Sequence, residues 1–111
     1  MSSPTTPYKA ISDSTRRQIL DLLREKNRMT AGSIAQSFPE ISRPAVSKHL
    51  KILRGSDLVR TKRLGRERIY SINPAPLRQV AEWLRQYQVF WDEQLTSLKD
   101  FVESTQNQGG K

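Results

Sequence analysis

Cysteine is missing from the sequence altogether, and histidine occurs once, at position 49. The first absence removes disulfides, thiolate metal ligands and thiol redox sensing together. The second leaves zinc or copper short of donors, since their sites almost always take several nitrogen or sulfur ligands. Long apolar runs are lacking too: nothing approaches the roughly 18 residues of a membrane span. The opening "MSSPTTP" has neither the charged nor the apolar region of a secretory signal. These gaps predict a cytoplasmic protein with no membrane partner and no cofactor. Catalytic signatures are also wanting: no Cys–His pair, no phosphate-cradling glycine-rich loop, no metal-ligand cluster. A serine triad would have to recruit His49, which lies beside a helical apolar stripe and reads better as a packed or hydrogen-bonded side chain. An enzyme is not expected.

Acidic residues are scarce in one place only. From Ser42 to Ser56 there is no Asp or Glu. Residues 41–70 hold nine Lys or Arg against two acids, a net +7. The other 81 residues hold ten bases and nine acids, a net +1. Basicity spread evenly would favour little beyond solubility. Basicity confined to one stretch predicts a surface for a polyanion.

The 111 residues fit one domain with a modest core, of a size often stabilised by oligomerisation. Residues 1–6 and 105–111 are polar and are expected to be disordered tails, which leaves one domain over 7–104. "YKAIS" suggests a short helix or turn. Asp13 suits an N-cap, and Ile19, Leu22 and Leu23 make one stripe of the following helix, with Asn27 as its stop. Thr30 caps a second amphipathic segment, Ala31, Ile34, Ala35 and Phe38, which Pro39 ends. Ser42 caps a third, with Pro44 in its first turn and Gly55 as the expected left-handed stop. Val46, Leu50 and Leu53 line its buried side, and Pro44, Ser47, Lys48 and Lys51 cluster opposite. From Leu58 the period changes to that of strands. "LVRTK" and "ERIYSIN", joined through Gly65, predict a two-stranded hairpin with Lys62, Arg63, Arg66 and Arg68 at or near its tip. A last helix opens at Pro74 or Pro76 and runs to about Glu103. Leu77, Val80, Leu84, Tyr87, Trp91, Leu95, Leu98 and Val102 follow near-heptad spacing along it. Thirty such residues span about 45 Å, more than so small a domain can cover.

Two helices joined by a tight turn, the second basic on its outer side, describe a helix-turn-helix, and the hairpin makes it a winged one. The fold class is thus mainly α with a small β-hairpin and a long C-terminal dimerisation helix. The major groove of B-DNA is about 12 Å wide and admits one helix. Acids on the inserted face would be repelled by phosphates, so the acid-free face fits the groove. Ser47 and Lys48 suit base edges or phosphates, and Arg43 sits at the helix N-terminus, beside Ser42 and Pro44, where such proteins make contacts. Thr30 and Ser33 suit a phosphate, through hydroxyl and backbone N–H. The hairpin cations suit the adjacent backbone or minor groove, Arg63 and Arg66 foremost. A winged helix serving protein or RNA recognition is the alternative.

The blocks "YKAISDSTRRQILDLL", "TAGSIAQSF", "SRPAVSKHLKILRGSDLV" and "TKRLGRERIYSIN" occur in this order and resemble the ArsR/SmtB family of winged-helix repressors, over Tyr8 to Leu84. The late "VFWDEQLTSLKDFVE" resembles the metal-free branch that includes autorepressors. The resemblance implies a homodimer held by the first and last helices, adding Tyr8 to the dimerisation residues Leu77, Val80, Leu84, Tyr87, Trp91, Leu95 and Leu98. It also implies repression through an inverted-repeat operator in double-stranded DNA, and hence a nucleoid-associated protein. Metal-sensing members carry cysteines in the helix matching "SIAQSF", or Asp and His ligands on the last helix. This chain has no cysteine and no second histidine, so metal sensing does not carry over, and the sequence names no inducing ligand.

Overall fold

The computed structural model describes residues 6–109, with side chains to residue 105. Of the expected disordered tails, residues 1–5 and 110–111 lie outside the described part, while Thr6 is the N-cap of α1 and residues 105–109 are helical. Five helices and three strands follow in the order α1 (Pro7–Ala10), α2 (Ser14–Lys26), β1 (Arg28–Thr30), α3 (Ala31–Gln36), α4 (Arg43–Gly55), β2 (Val59–Leu64), β3 (Glu67–Ile72) and α5 (Leu77–Gly109). The chain divides into two compact units, one ending at Gln79 and one beginning at Val80. Among the described residues no helix is long and apolar enough to cross a membrane.

The first unit is a winged helix-turn-helix, and local signals start each helix. Side-chain oxygens of Asp13, Thr30 and Ser42 accept from the backbone N–H three residues on, of Arg16, Ser33 and Ala45. Each satisfies a donor that the first helical turn leaves unpaired. Asn27 closes α2 at φ 76°, its N–H donating to the Leu23 carbonyl at 2.8 Å.

The end of α4 differs from the expected glycine stop. Gly55 is still helical, and the left-handed residue is Asp57, at φ 62°. Two hydrogen bonds finish the helix there, Asp57 N–H to Arg54 O and Leu58 N–H to Leu53 O, both 3.0 Å. This is a Schellman end, with Leu53 and Leu58 both fully buried as its apolar pair. Asn73 holds the turn by donating Nδ2 to the Asp57 carbonyl at 2.8 Å.

The hairpin forms as expected, but a third strand joins it. β1 pairs antiparallel with β3, giving the order β1-β3-β2. Three residues, Arg-Met-Thr, are too few to display alternation, so this strand is invisible to periodicity. Gly65, at φ 62°, and Arg66 make a two-residue turn between paired Leu64 and Glu67. A positive φ at the first position alone is the pattern of a type II′ turn.

The core gathers Ile19, Leu20 and Leu23 of α2, Ile34 and Phe38 around α3, Val46, Leu50 and Leu53 of α4, and Leu58, Val59 and Tyr70 of the hairpin. Leu20 is buried and Leu22 only partly so, against the expectation for this stripe. Burying one such aliphatic side chain stabilises by about 1.5–3 kcal/mol. Among the described residues no buried polar side-chain atom lacks a hydrogen bond.

The second unit is the rest of α5. The helix runs to Gly109, beyond the expected end at Glu103, because no proline or glycine interrupts it before Gly109. Its 33 residues span about 50 Å.

The Asp13 cap has a pH signature. The Arg16 backbone N–H bond, with smaller help from the Arg16 guanidinium, holds its carboxyl below the usual carboxylate value. A depressed folded value means the cap stabilises above the unfolded pKa and is lost as pH falls through the folded one. Asp13→Ala should therefore cost about 1 kcal/mol near neutrality in urea unfolding. The gap from wild type should close below about pH 4; a gap unchanged at low pH would deny the carboxylate this role.

Candidate nucleic-acid interface

Burial fixes which side of α4 faces out. Val46, Leu50 and Leu53 are 2 %, 2 % and 0 % exposed, and Arg43, Pro44, Ser47, Lys48 and Lys51 are all exposed. The acid-free side of the helix is the solvent side. Ser42 is exposed and occupied as cap, its Oγ accepting from Ala45 N–H at 3.3 Å while its own proton remains available.

The preceding helix contributes a hydroxyl pair. Thr30 Oγ1 accepts from the Ser33 N–H at 3.0 Å and donates to Ser33 Oγ at 3.0 Å. Thr30 is thus occupied in both roles, and the expected backbone N–H of Ser33 is spent on the cap. What remains for an anion is the Ser33 hydroxyl proton.

The wing sets Arg63 and Arg68 on one sheet face and Lys62 on the other. Lys62, Arg63, Arg66 and Arg68 are all exposed. Arg63 stands directly opposite Arg68 across the β2–β3 ladder, and Lys62 opposite Ile69. Like charges placed opposite one another destabilise a hairpin. An anion lying between them would remove that cost.

Arg16, which the sequence did not single out, fastens α4 in place. Its Nε donates to the Ala10 carbonyl at 2.7 Å, Nη2 to the Lys9 carbonyl at 3.2 Å, and Nη1 to His49 Nδ1 at 3.3 Å. Arginine cannot accept, so Nδ1 carries no proton in this arrangement. Asp13 Oδ2 lies 3.9 Å from the same nitrogen, beyond hydrogen-bond reach. His49 is therefore a hydrogen-bonded positioning side chain, as its place beside the stripe suggested. One signal was present: Arg16 lies in the first turn of α2, where the helix dipole disfavours a cation, so a specific partner is needed.

The dimerisation candidates divide. Leu77 packs against the core and Val80 is buried. Tyr8, Leu84, Tyr87, Trp91, Leu95 and Leu98 are exposed, Trp91 by 62 %. The Tyr8 hydroxyl donates to the Gln79 carbonyl at 3.2 Å. Among the described residues no three His, Asp or Glu side chains come together as a metal site.

A capped helix pair, a basic outward helix face and an adjacent basic hairpin define a winged helix-turn-helix. Residues 11–62 match a helix-turn-helix domain family. The chain belongs to the ArsR family of helix-turn-helix transcriptional regulators. It is 46% identical over 77 residues to the transcriptional repressor SdpR of Bacillus subtilis (strain 168), covering 69% of this chain and 83% of that protein. It is 34% identical over 102 residues to the HTH-type transcriptional regulator Rv2034 of Mycobacterium tuberculosis, covering 92% and 91%. Among solved structures, an ArsR-like transcriptional regulator from Rhodococcus sp. RHA1 aligns with TM-score 0.61 and 36% identity, over 85% of this chain and 87% of that one.

The facing arginines give a test of the wing. Arg68→Thr should raise the stability of the free protein by about 0.2–1 kcal/mol at low salt. High salt should shrink the gain through screening. The same variant should bind DNA more weakly; a variant that loses stability would show that the pair is not repulsive.

Proposed function

We propose that the chain acts as a homodimer that binds an inverted-repeat operator in double-stranded DNA and represses transcription without a metal effector. The observation that carries this reading is the outward face of α4: Arg43, Pro44, Ser47, Lys48 and Lys51 exposed, with no acid from Ser42 to Ser56. Lys48 and Arg43 take base edges, and Lys51 and Ser42 take the flanking backbone. Thr30 orients Ser33 toward a phosphate. Lys62, Arg63, Arg66 and Arg68 follow the backbone or minor groove beside it.

The pairing of subunits rests on α5. Leu84, Tyr87, Trp91, Leu95 and Leu98 share one face and are about half exposed or more. An apolar strip of that length on one helix calls for a partner surface. Tyr8, Leu77 and Val80 complete the set of residues assigned to pairing. A two-fold dimer sets its recognition helices about 34–36 Å apart, one turn of DNA. The lack of cysteine, the single histidine already engaged by Arg16, and the absence of a ligand cluster among the described residues support membership in the metal-free branch. Control of its own promoter from within the cytoplasm, on the nucleoid, is the role that fits.

Footprinting on the chain's own upstream region, with random duplex and structured RNA as competitors, tests the reading. Lys48→Ala and Arg43→Ala should each lose about 1–3 kcal/mol on the operator and much less on random DNA. Equal loss on both would reassign that residue to a phosphate. Trp91→Glu should sediment as a monomer and lose operator affinity; a variant that stays dimeric would refute the α5 seam.

A further inference from the structure

One concave surface outside α4 carries two cations and an apolar floor that the proposed function leaves unused. An open cleft of about 550 Å³ lies where the end of α2, β1, the start of α3 and the wing meet. Its floor is apolar, made by Leu64 and Ile69, and its rim carries Lys26, Arg28, Thr30 and Ser33. The register explains the grouping. Arg28 pairs with Ser71 and Thr30 with Ile69, and Ile69 pairs in turn with Lys62. Side chains alternate along strands, so Arg28, Ile69 and Leu64 share one face of the sheet.

The rim is charged and uncompensated. Lys26 and Arg28 are exposed, and neither makes an ion pair among the described residues. The dipole of α2 accounts for a cation in its last turn, at Lys26. It does not account for a second cation on β1, nor for the apolar floor beside it. Ser33 lines the same cleft, and the Thr30 bond leaves its hydroxyl proton free. Anionic oxygens beside apolar faces at short intervals are the surface of a sugar–phosphate strand. The cleft is also continuous with the interface already described, through Ser33 on α3 and through Leu64, which shares its sheet face with Lys62 of the wing.

We propose that this cleft is a track for the backbone of one DNA strand. Lys26 and Arg28 each neutralise a phosphate, Ser33 donates to one, and Leu64 and Ile69 cover deoxyribose. The inference rests on the DNA-binding reading and extends it: the strand is held between α3 and the wing, by residues outside both the recognition helix and the hairpin turn.

The experiment is a salt titration by fluorescence anisotropy. It compares the full chain with Lys26→Ala, Arg28→Ala, the double variant, and the charge-keeping Lys26→Arg and Arg28→Lys. The upstream duplex and a random duplex are used in parallel. Each alanine should flatten the slope of log K against log salt by about 0.9. Between about 50 and 200 mM salt that makes the loss of affinity three- to fourfold smaller per contact. Both duplexes should weaken by the same factor, the double variant should lose two contacts, and the charge-keeping variants should match wild type. Slopes unchanged in the alanine variants overturn the track. So does a loss confined to the upstream duplex, which marks a base contact, or a loss the charge-keeping variants share, which marks a structural one. Wild type failing to prefer the upstream duplex would sink the operator reading, and the cleft would still be decided by slopes on random DNA. Wild-type preference with unaltered variant slopes sinks the cleft alone.

Discussion

Burial of Val46, Leu50 and Leu53 in the core is the constraint on which the rest of the structure depends. These three positions set the rotation of α4 about its axis. A helix turns about 100° per residue, so no other rotation buries them together. Once they are in, Arg43, Ser47, Lys48 and Lys51 have nowhere to go but out. The basic, exposed side is therefore positioned by the packing of the opposite side. The Arg16 fork adds a second restraint, tying α4 through His49 to the carbonyls at the end of α1. The Schellman end, held by Asn73, adds a third at the far terminus of the helix.

Much of this was legible in the sequence, for physical reasons that also mark where legibility stops. Caps are local: Asp13, Thr30 and Ser42 each need only a backbone N–H three residues away, so residue type and position suffice. Helical stripes are nearly local, and those of α3 and α4 lie where their spacing put them. β1 was missed because its partner is β3, some forty residues along the chain, and three residues carry no period of their own. The left-handed residue was assigned to Gly55 because glycine pays no steric cost there. Asp57 takes the conformation instead, since the turn geometry is imposed by Leu53 meeting Leu58 and by the Asn73 bond. Arg16 was passed over for the same reason as β1: its partners come from α1 and α4, and their meeting is a tertiary event. In the candidate interface, basic residues were readable as a set from charge segregation. Their facing across the ladder, Arg63 against Arg68, needed the register.

The free protein carries features that local stability alone would remove. Two arginines oppose each other in the wing, and Lys26 and Arg28 line an apolar cleft without an ion pair among the described residues. Along α5, Trp91 and Leu98 are more than half exposed to water. Each is unfavourable in an isolated chain and favourable against a polyanion or an apolar partner surface. Features of this kind cluster where a protein is completed by something else, and here they lie on the wing, at the cleft and along the last helix.

The two-residue turn at Gly65 and Arg66 restricts how the wing can vary in length. Side chains alternate strictly across a ladder, so one extra residue in either arm would carry every later side chain through to the opposite face. Tyr70 would leave the core and the basic tip would invert. With the two-residue bend and an unbroken ladder kept, the reach of the hairpin grows or shrinks by matched pairs, one residue per strand. An odd residue has to be taken up by a bulge or a longer loop, which leaves the pleat of both arms in phase.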